Sequence, residues 1–336
     1  MSRLAVLLVA VLAAAQGVPA PPPKDTLAEE LALAPPYGVV GGDLRAPPAP
    51  KPAEVALGRA LFFDPILSDD RTLSCASCHE PEHGFADPSA LSPGVHGRST
   101  QRNAPSLFNR ALGASFFWDG RVATLEEQVV QPIQNPDEMG LPLDRAVERL
   151  AAEQVYARRF EEVFGAPPTK ASLARALAAF VGVLWLGDSP VDRFQAGDAA
   201  ALTEEERTGL WIYESKGGCW RCHSGPNFTD EDFHDTGVGV KDGVLEPGRE
   251  AVTKDPKDRG KFKTPTLRGV ALSAPYMHDG SLATLKDVVE FYRRGGNPNA
   301  NLDEDVEKLA LTELEAERLV KFLEALSRIA AGPRGR

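Results

Sequence analysis

Long apolar runs are missing from this sequence. A membrane-crossing helix needs about 20 consecutive apolar residues. The two best candidates fall short: residues 4–15 are few, and residues 172–186 are interrupted by Arg175. Basic clusters are missing too, and the formal net charge is −11, which excludes the nucleic-acid binders that work through a positive face. An acidic surface suits a basic protein partner through electrostatic steering. Convincing alternation of apolar and polar residues is absent, so sheet-based architectures are not expected. Sulfur is scarce, with four cysteines and three methionines in 336 residues, too few for a disulfide-dense scaffold.

The chain that remains is mainly helical. Residues 1–20 combine a positive start, a short apolar stretch and small residues around Ala15 and Ala20. They read as a cleaved export signal, which places the mature protein in the periplasm without a membrane span. Residues 21–52 are rich in proline and read as an extended arm. Apolar spacing predicts helices over 53–62, 144–164 and 171–186. Thr203 with Glu206, and Thr312 with Glu315, are capping boxes that open two more, the last running to about Arg328. Long loops are expected over 80–101 and 224–263.

The four cysteines fall into two motifs, Cys75-Ala-Ser-Cys78-His79 and Cys219-Trp-Arg-Cys222-His223. Each is C-x-x-C-H, the signature of covalent haem attachment. Two thiols join the haem edge, and the histidine ligates iron. A redox dithiol or half of a zinc site would explain one pair. Neither explains two pairs that both end in histidine and leave no cysteine over.

A repeat organises the rest. Residues 104–130 and 264–290 align at a constant offset of 160 with 11 identities in 27 positions. Each copy follows one haem motif. The expected fold is therefore mainly α, with two cytochrome c-like haem domains related by an internal duplication, over 53–188 and 189–330. Thr124 with Glu127 and Thr284 with Asp287 each open a short helix. Gln128 and Pro132 share a face if the first one persists. The same offset pairs Pro132 with Tyr292. Proline leaves an iron position open, whereas a tyrosine phenolate can ligate ferric iron. Tyr292 also completes an i, i+3, i+4, i+7 stripe with Leu285, Val288 and Val289, which is a packing pattern. Glu138 lies in the turn-rich Asn135-Pro-Asp-Glu-Met-Gly segment, as an acid–base group for an open haem or as a solvated loop acid. Trp118 is a packing aromatic or an electron relay.

These residues resemble the bacterial dihaem cytochrome c peroxidases and their MauG relatives, over about residues 57–326. The likeness rests on Leu-Phe-Phe-Asp-Pro (61–65), both haem motifs, Phe-Trp-Asp-Gly-Arg (117–121), Leu-Glu-Glu-Gln (125–128), Asn-Pro-x-Glu-Met (135–139) and Thr-Pro-Thr-Leu-Arg (264–268). It implies that Cys75, Cys78 and His79 hold the peroxide-reacting haem. Gln128, Pro132 and Glu138 would line its distal pocket, with Glu138 as acid and base. Trp118 would stand between the haems, and Cys219, Cys222 and His223 would hold the electron-transfer haem. Asn103, Ser273 and Pro275 match the family's calcium region. Classical members carry a methionine ligand fourteen residues after the position of His278, where this chain has Tyr292, as MauG does. Met277 is nearby but misplaced in the motif. His278 matches a residue beside the second haem. His96 lies close to where classical members keep a removable distal histidine, one residue nearer Asn103, and a surface role fits it equally. His83 and His234 read as loop residues.

The resemblance implies a peroxidase that reduces hydrogen peroxide with electrons from a small redox protein, a cytochrome c or a copper protein. A MauG-like oxidase acting on side chains of a protein substrate is the alternative. A dihaem electron carrier without enzymatic activity is a third, disfavoured by the open-site residues. The resemblance also leaves room for a homodimer.

Overall fold

The computed structural model describes residues 32–240 and 244–329. The expected signal segment and residues 21–31 of the arm lie outside them. Eleven helices of four residues or more follow one another among the described residues: α1 Pro52–Phe63, α2 Leu125–Val129, α3 Gln131–Gln134, α4 Leu143–Ala152, α5 Gln154–Phe164, α6 Lys170–Val181, α7 Pro190–Gln195, α8 Glu204–Glu214, α9 Glu250–Thr253, α10 Leu285–Arg293 and α11 Glu313–Ala325. The architecture is mainly helical, as expected. No described helix is long and apolar enough to cross a membrane.

Two apolar cores divide the chain. One gathers buried residues from Val55 to Leu184, the other from Val191 to Leu326. Each is built on the same crossing. In the first, α1 runs into the first cysteine motif and packs on α6. In the second, α8 runs into the second motif and packs on α11. Both crossings need a glycine. A Cβ on Gly58 would overlap the Ala176 carbonyl, and one on Gly209 would overlap the Arg318 carbonyl. Backbone this close leaves no room for any side chain at those positions.

The repeated segments share local backbone. Turns at Arg110–Leu112 and Val270–Leu272 are followed by bridges joining Phe116 to Val122 and Tyr276 to Leu282. Left-handed residues recur at Asn109 and Gly269, Phe117 and Met277, Gly120 and Gly280. Thr124 and Thr284 then cap α2 and α10 with their side chains.

Four expectations need correction. The helix expected over 144–164 is two, because Glu153 turns extended (φ −83°, ψ 109°) between α4 and α5. The helix expected over 171–186 stops at Val181. Beyond it, Asn109 captures the chain: its N–H donates to the Leu184 carbonyl, its Nδ2 donates to the Leu186 carbonyl, and its Oδ1 accepts from the Leu186 N–H. A small antiparallel pair also exists, β1 Phe233–His234 on β2 Phe262–Lys263, too short to show periodicity. Finally, the described part of the arm is tied down. Val39 is fully buried, Tyr37 O accepts from Asp188 N, and Gly38 O accepts from Arg268.

Candidate active site

Each cysteine motif folds into one 3₁₀ turn, Cys75–Ser77 and Cys219–Arg221, with the histidine N–H donating to the first cysteine's carbonyl. The histidines are oriented alike. His79 Nδ1 donates to the Phe85 carbonyl at 2.9 Å, and His223 Nδ1 donates to the Phe228 carbonyl at 3.2 Å. A histidine anchored through Nδ1 presents Nε2 as its free nitrogen, the arrangement that metal-ligating histidines use. Both accepting phenylalanines are left-handed, at φ 56° and 51°. Bulky residues rarely adopt that conformation, so the two carbonyls are aimed at a local cost. Burial pushes both imidazole pKa values below the ordinary range, which favours the neutral, ligating form.

The thiols are free and half-buried rather than paired. Burial raises Cys75 to about 12, Cys78 to about 11 and Cys219 to about 12. A redox dithiol works through a thiolate of lowered pKa, so these environments argue against that alternative.

A cavity of about 490 Å³ opens over the first motif, within the range of cofactor sites. Cys75, Cys78, His79, Trp118, Gln128, Pro132 and Glu138 all line it, with Phe62, Phe116 and Leu177 among the apolar walls. Gln128 and Pro132 reach it from α2 and α3, which are separate helices. Pro132 has no N–H to continue the α2 ladder, so the helix breaks at Val130 and restarts. The shared face therefore survives a break that spacing did not anticipate. Glu138 is half-buried; its Oε1 accepts from Asn135 Nδ2 at 2.8 Å. Burial raises its pKa, although Asn135 and the Arg121 cation pull the other way.

Trp118 Nε1 donates to the Asn103 carbonyl at 2.9 Å, and its ring meets His278 edge-on at 6.5 Å. These two residues occupy equivalent positions in the repeat. His278 is buried, stacks on Phe262 at 3.5 Å and has Nε2 3.7 Å from Glu246.

At the second motif, Tyr292 is half-buried on α10. Burial drives its phenol well above the ordinary value, and the Cys222 and Cys219 sulfurs add to the rise. Such a phenol keeps its proton unless a cation compensates the phenolate. Met277 is half-buried and left-handed (φ 73°) in the turn before His278.

Other candidates fall elsewhere. His96 is exposed and left-handed, with Nε2 2.9 Å from Asp69, outside the residues that line the cavity. His83 pairs with Glu80 at 3.0 Å, and His234 bridges Asp230 and Asp303. Asn103 binds the second half at His278, whose carbonyl accepts from its N–H. Its Nδ2 donates to Ser89 and Ala90 carbonyls. Ser273 donates to Val270, and Pro275 follows a cis bond. These hydrogen bonds do not join the three calcium-region residues into one cage.

Several residues escaped the sequence reading. Asn135 and Arg121 lie inside the motifs that carry the resemblance, but their identity alone does not tie them to Glu138. Phe85 and Phe228 contribute only carbonyls, six and five residues after their histidines, and such a role leaves no pattern.

The family model for "Di-haem cytochrome c peroxidase" matches residues 52–200. The methylamine utilization protein MauG of Methylorubrum extorquens is 40% identical over 278 residues, 82% of this chain and 78% of that one. Cytochrome c551 peroxidase of Nitrosomonas europaea is 38% identical over 245 residues, 72% of this chain and 73% of that one. The crystal structure of a MauG-like protein associated with microbial copper homeostasis superposes with a TM-score of 0.77 at 33% identity, covering 90% and 96% of the two chains. This chain belongs to the dihaem cytochrome c peroxidase/MauG family. It is accordingly an oxidoreductase of the peroxide-using type, and its cofactors are haems.

Proposed function

We propose that this chain is an exported periplasmic peroxidase. It would carry two covalent haems on duplicated domains, over 53–188 and 189–330, and reduce hydrogen peroxide at the first. The observation that carries the reading is the convergence of His79, Gln128, Pro132 and Glu138 on one cavity. The recurring turns, bridges and glycine crossings support the duplication, and the gap between the two cores supports the boundary.

The residues fit a haem at each motif: paired thiols, an Nδ1-anchored histidine and, at the first, a cavity of suitable size. A haem bound there supplies an iron centre that exchanges electrons with peroxide. The protein supplies the rest. Phe85 fixes the imidazole of His79, and Pro132 lines the cavity without offering a side chain that could ligate a metal. Glu138 would take a proton from one peroxide oxygen as the carboxylate and return it to the other as the acid, the form that burial favours. The balance is one peroxide, two electrons and two protons giving two waters. Trp118, against His278, would pass charge towards the second half.

A second reading is favoured by Tyr292, which stands on α10 at the place that Pro132 holds in the first copy of the repeat. Phenolate ligation stabilises ferric iron, as in MauG-type chemistry, and the electrons would then come from side chains of a protein substrate. Holoprotein treated with peroxide and then offered a reduced cytochrome c or a reduced copper protein separates the two. Multiple-turnover oxidation of either donor is expected, and no oxidation of either would overturn the peroxidase reading. A calcium ion at the Asn103 junction is a further expectation, checked by metal analysis of the purified holoprotein.

A further inference from the structure

Glu138 is held at one oxygen by a side chain that the mechanism above leaves without a role. Asn135 Nδ2 donates to Glu138 Oε1 at 2.8 Å, and among the described residues it is the hydrogen-bond donor to this carboxylate. The amide cannot turn round without loss, because its Oδ1 accepts from Asp137 N at 3.1 Å. The Asn135 carbonyl accepts from Glu138 N at 3.0 Å and from Gly140 N at 2.9 Å. Gly140 closes that turn in the left-handed region (φ 66°), where a Cβ would lie 2.8 Å from Val95 Cγ2. From the other side, Val95 N donates to the Glu138 carbonyl at 2.8 Å. The turn thus fixes the backbone of Glu138, and Asn135 fixes its side chain. Arg121 lines the same cavity, but its guanidinium holds Asp119 at 2.9 Å and stacks over the Phe117 ring at 3.5 Å.

We propose that Asn135 is the positioning residue that confines the reactive proton to Glu138 Oε2. This rests on the reading that Glu138 is the acid–base group for peroxide. An oxygen that accepts an N–H is a poor place for a proton, since protonating it would set two hydrogens against each other. With Oε1 occupied in this way, Oε2 takes the proton from one peroxide oxygen and the same Oε2 returns it to the other. No rotation of the carboxyl separates the two transfers, so the geometry for both is set beforehand. The amide is neutral and tolerates either form of Glu138, but its donor favours the carboxylate and so opposes the effect of burial. Two charged groups act alongside it: the Arg121 cation favours the carboxylate, and Asp137 opposes it. On the motif side stand His79 and the Cys75 and Cys78 sulfurs, which the haem engages in the holoprotein.

Stopped-flow mixing of holoprotein with peroxide across pH reads the carboxylate form of Glu138 as a rising limb. Asn135→Leu keeps the shape of the side chain and removes the donor. The limb should then move up by about one to two pH units, the worth of a hydrogen bond to a charged group. Below the limb the rate should fall by about 10–100-fold, and most of it should return as pH rises. Support of the fold alone would lower the rate equally at every pH. Asn135→Asp keeps the oxygen that caps Asp137 and loses only the donor, so it should shift the limb upward even if leucine loosens the turn. In a Glu138→Gln background either substitution should change the peroxide rate by less than about twofold, because no carboxyl remains to be positioned. Infrared difference spectra of Asn135→Leu against Asn135→Leu with Glu138→Gln follow the Glu138 carboxyl band itself, and its midpoint should rise with the limb. A limb and a band midpoint that match the parent would overturn the proposal, as would a rate loss of equal size at every pH. A peroxide rate unchanged by Glu138→Gln alone would instead sink the acid–base reading, and the infrared midpoint would still decide whether Asn135 governs the proton.

Discussion

A carboxylate inside an apolar cavity carries a standing cost, and Glu138 is the residue that bears it. Its pKa is raised mainly by burial, with Asn135 and Arg121 offsetting part of the effect. The folded state therefore holds the proton more tightly than the unfolded one. Stability from this group is complete below the unfolded glutamate value, near 4.3, and is lost as pH rises through the folded value. Glu138→Gln removes that loss while keeping an oxygen for Asn135. The variant should melt above the parent near neutral pH, and the difference should vanish in acid. Its reaction with peroxide should fall by about 10²–10⁴-fold, the usual worth of acid–base catalysis. Stopped-flow spectroscopy and pH-dependent melting check the two halves of this expectation together. A loop acid of no consequence would change neither. Tyr292 poses the opposite problem, because burial favours the neutral phenol. If iron supplies the compensating charge, Tyr292→Phe should change the second haem's spectrum and raise its reduction potential. Spectra and potentials identical to the parent would return Tyr292 to packing.

Helices follow from local signals where caps are strong. Thr203, Thr284 and Thr312 each close a complete capping box, and α8, α10 and α11 begin where those boxes predict. The helix ends were less legible, for tertiary reasons. The side chain of Asn109, distant in sequence, peels residues 184–186 from α6. At the site, residue types were legible because cysteine, histidine, glutamate and proline carry chemistry in their identity. The carbonyls of Phe85 and Phe228 were not, since any residue has one and only its left-handed backbone aims it. Glycine at the two helix crossings is a test of the shared architecture. Gly58→Ala and Gly209→Ala should each destabilise by about 1–3 kcal/mol or more, because the clash is with a carbonyl that cannot rotate away. Denaturant titration of the holoprotein measures it. A loss at Gly58 with none at Gly209 would mean that the two crossings are not packed alike.

The halves meet through largely buried charged groups. Within the second half, Arg268 and Asp192, each 1% exposed in the side chain, form a two-pronged pair that also binds the Pro226 carbonyl and ties down the arm through the Gly38 carbonyl. Arg110 of the first half reaches Glu231 of the second at 2.9 Å, and Lys263 lies 3.5 Å from the same carboxylate. Arg110 also lines the cavity over the first motif, so this joint ties the pocket to the other half. Burial lowers Lys263 to about 8, with Arg110 adding to the fall and Glu231 opposing it. Burial raises Glu231, but Arg110 and Lys263 outweigh it and hold the carboxyl below its ordinary value. A depressed carboxyl contributes stability above its unfolded pKa and loses it as pH falls through the folded one. The joint should therefore weaken on acidification below about pH 4.5. Glu231→Gln leaves two buried cations facing each other without a countercharge. Removing one partner of a buried pair costs about 3–5 kcal/mol, and that loss is expected near neutral pH. Below the glutamate range the parent loses the same carboxylate, so the two stability curves should converge there. Chemical unfolding from neutral to acid pH follows both curves. Parallel curves would show that Glu231 is a bystander to the joint.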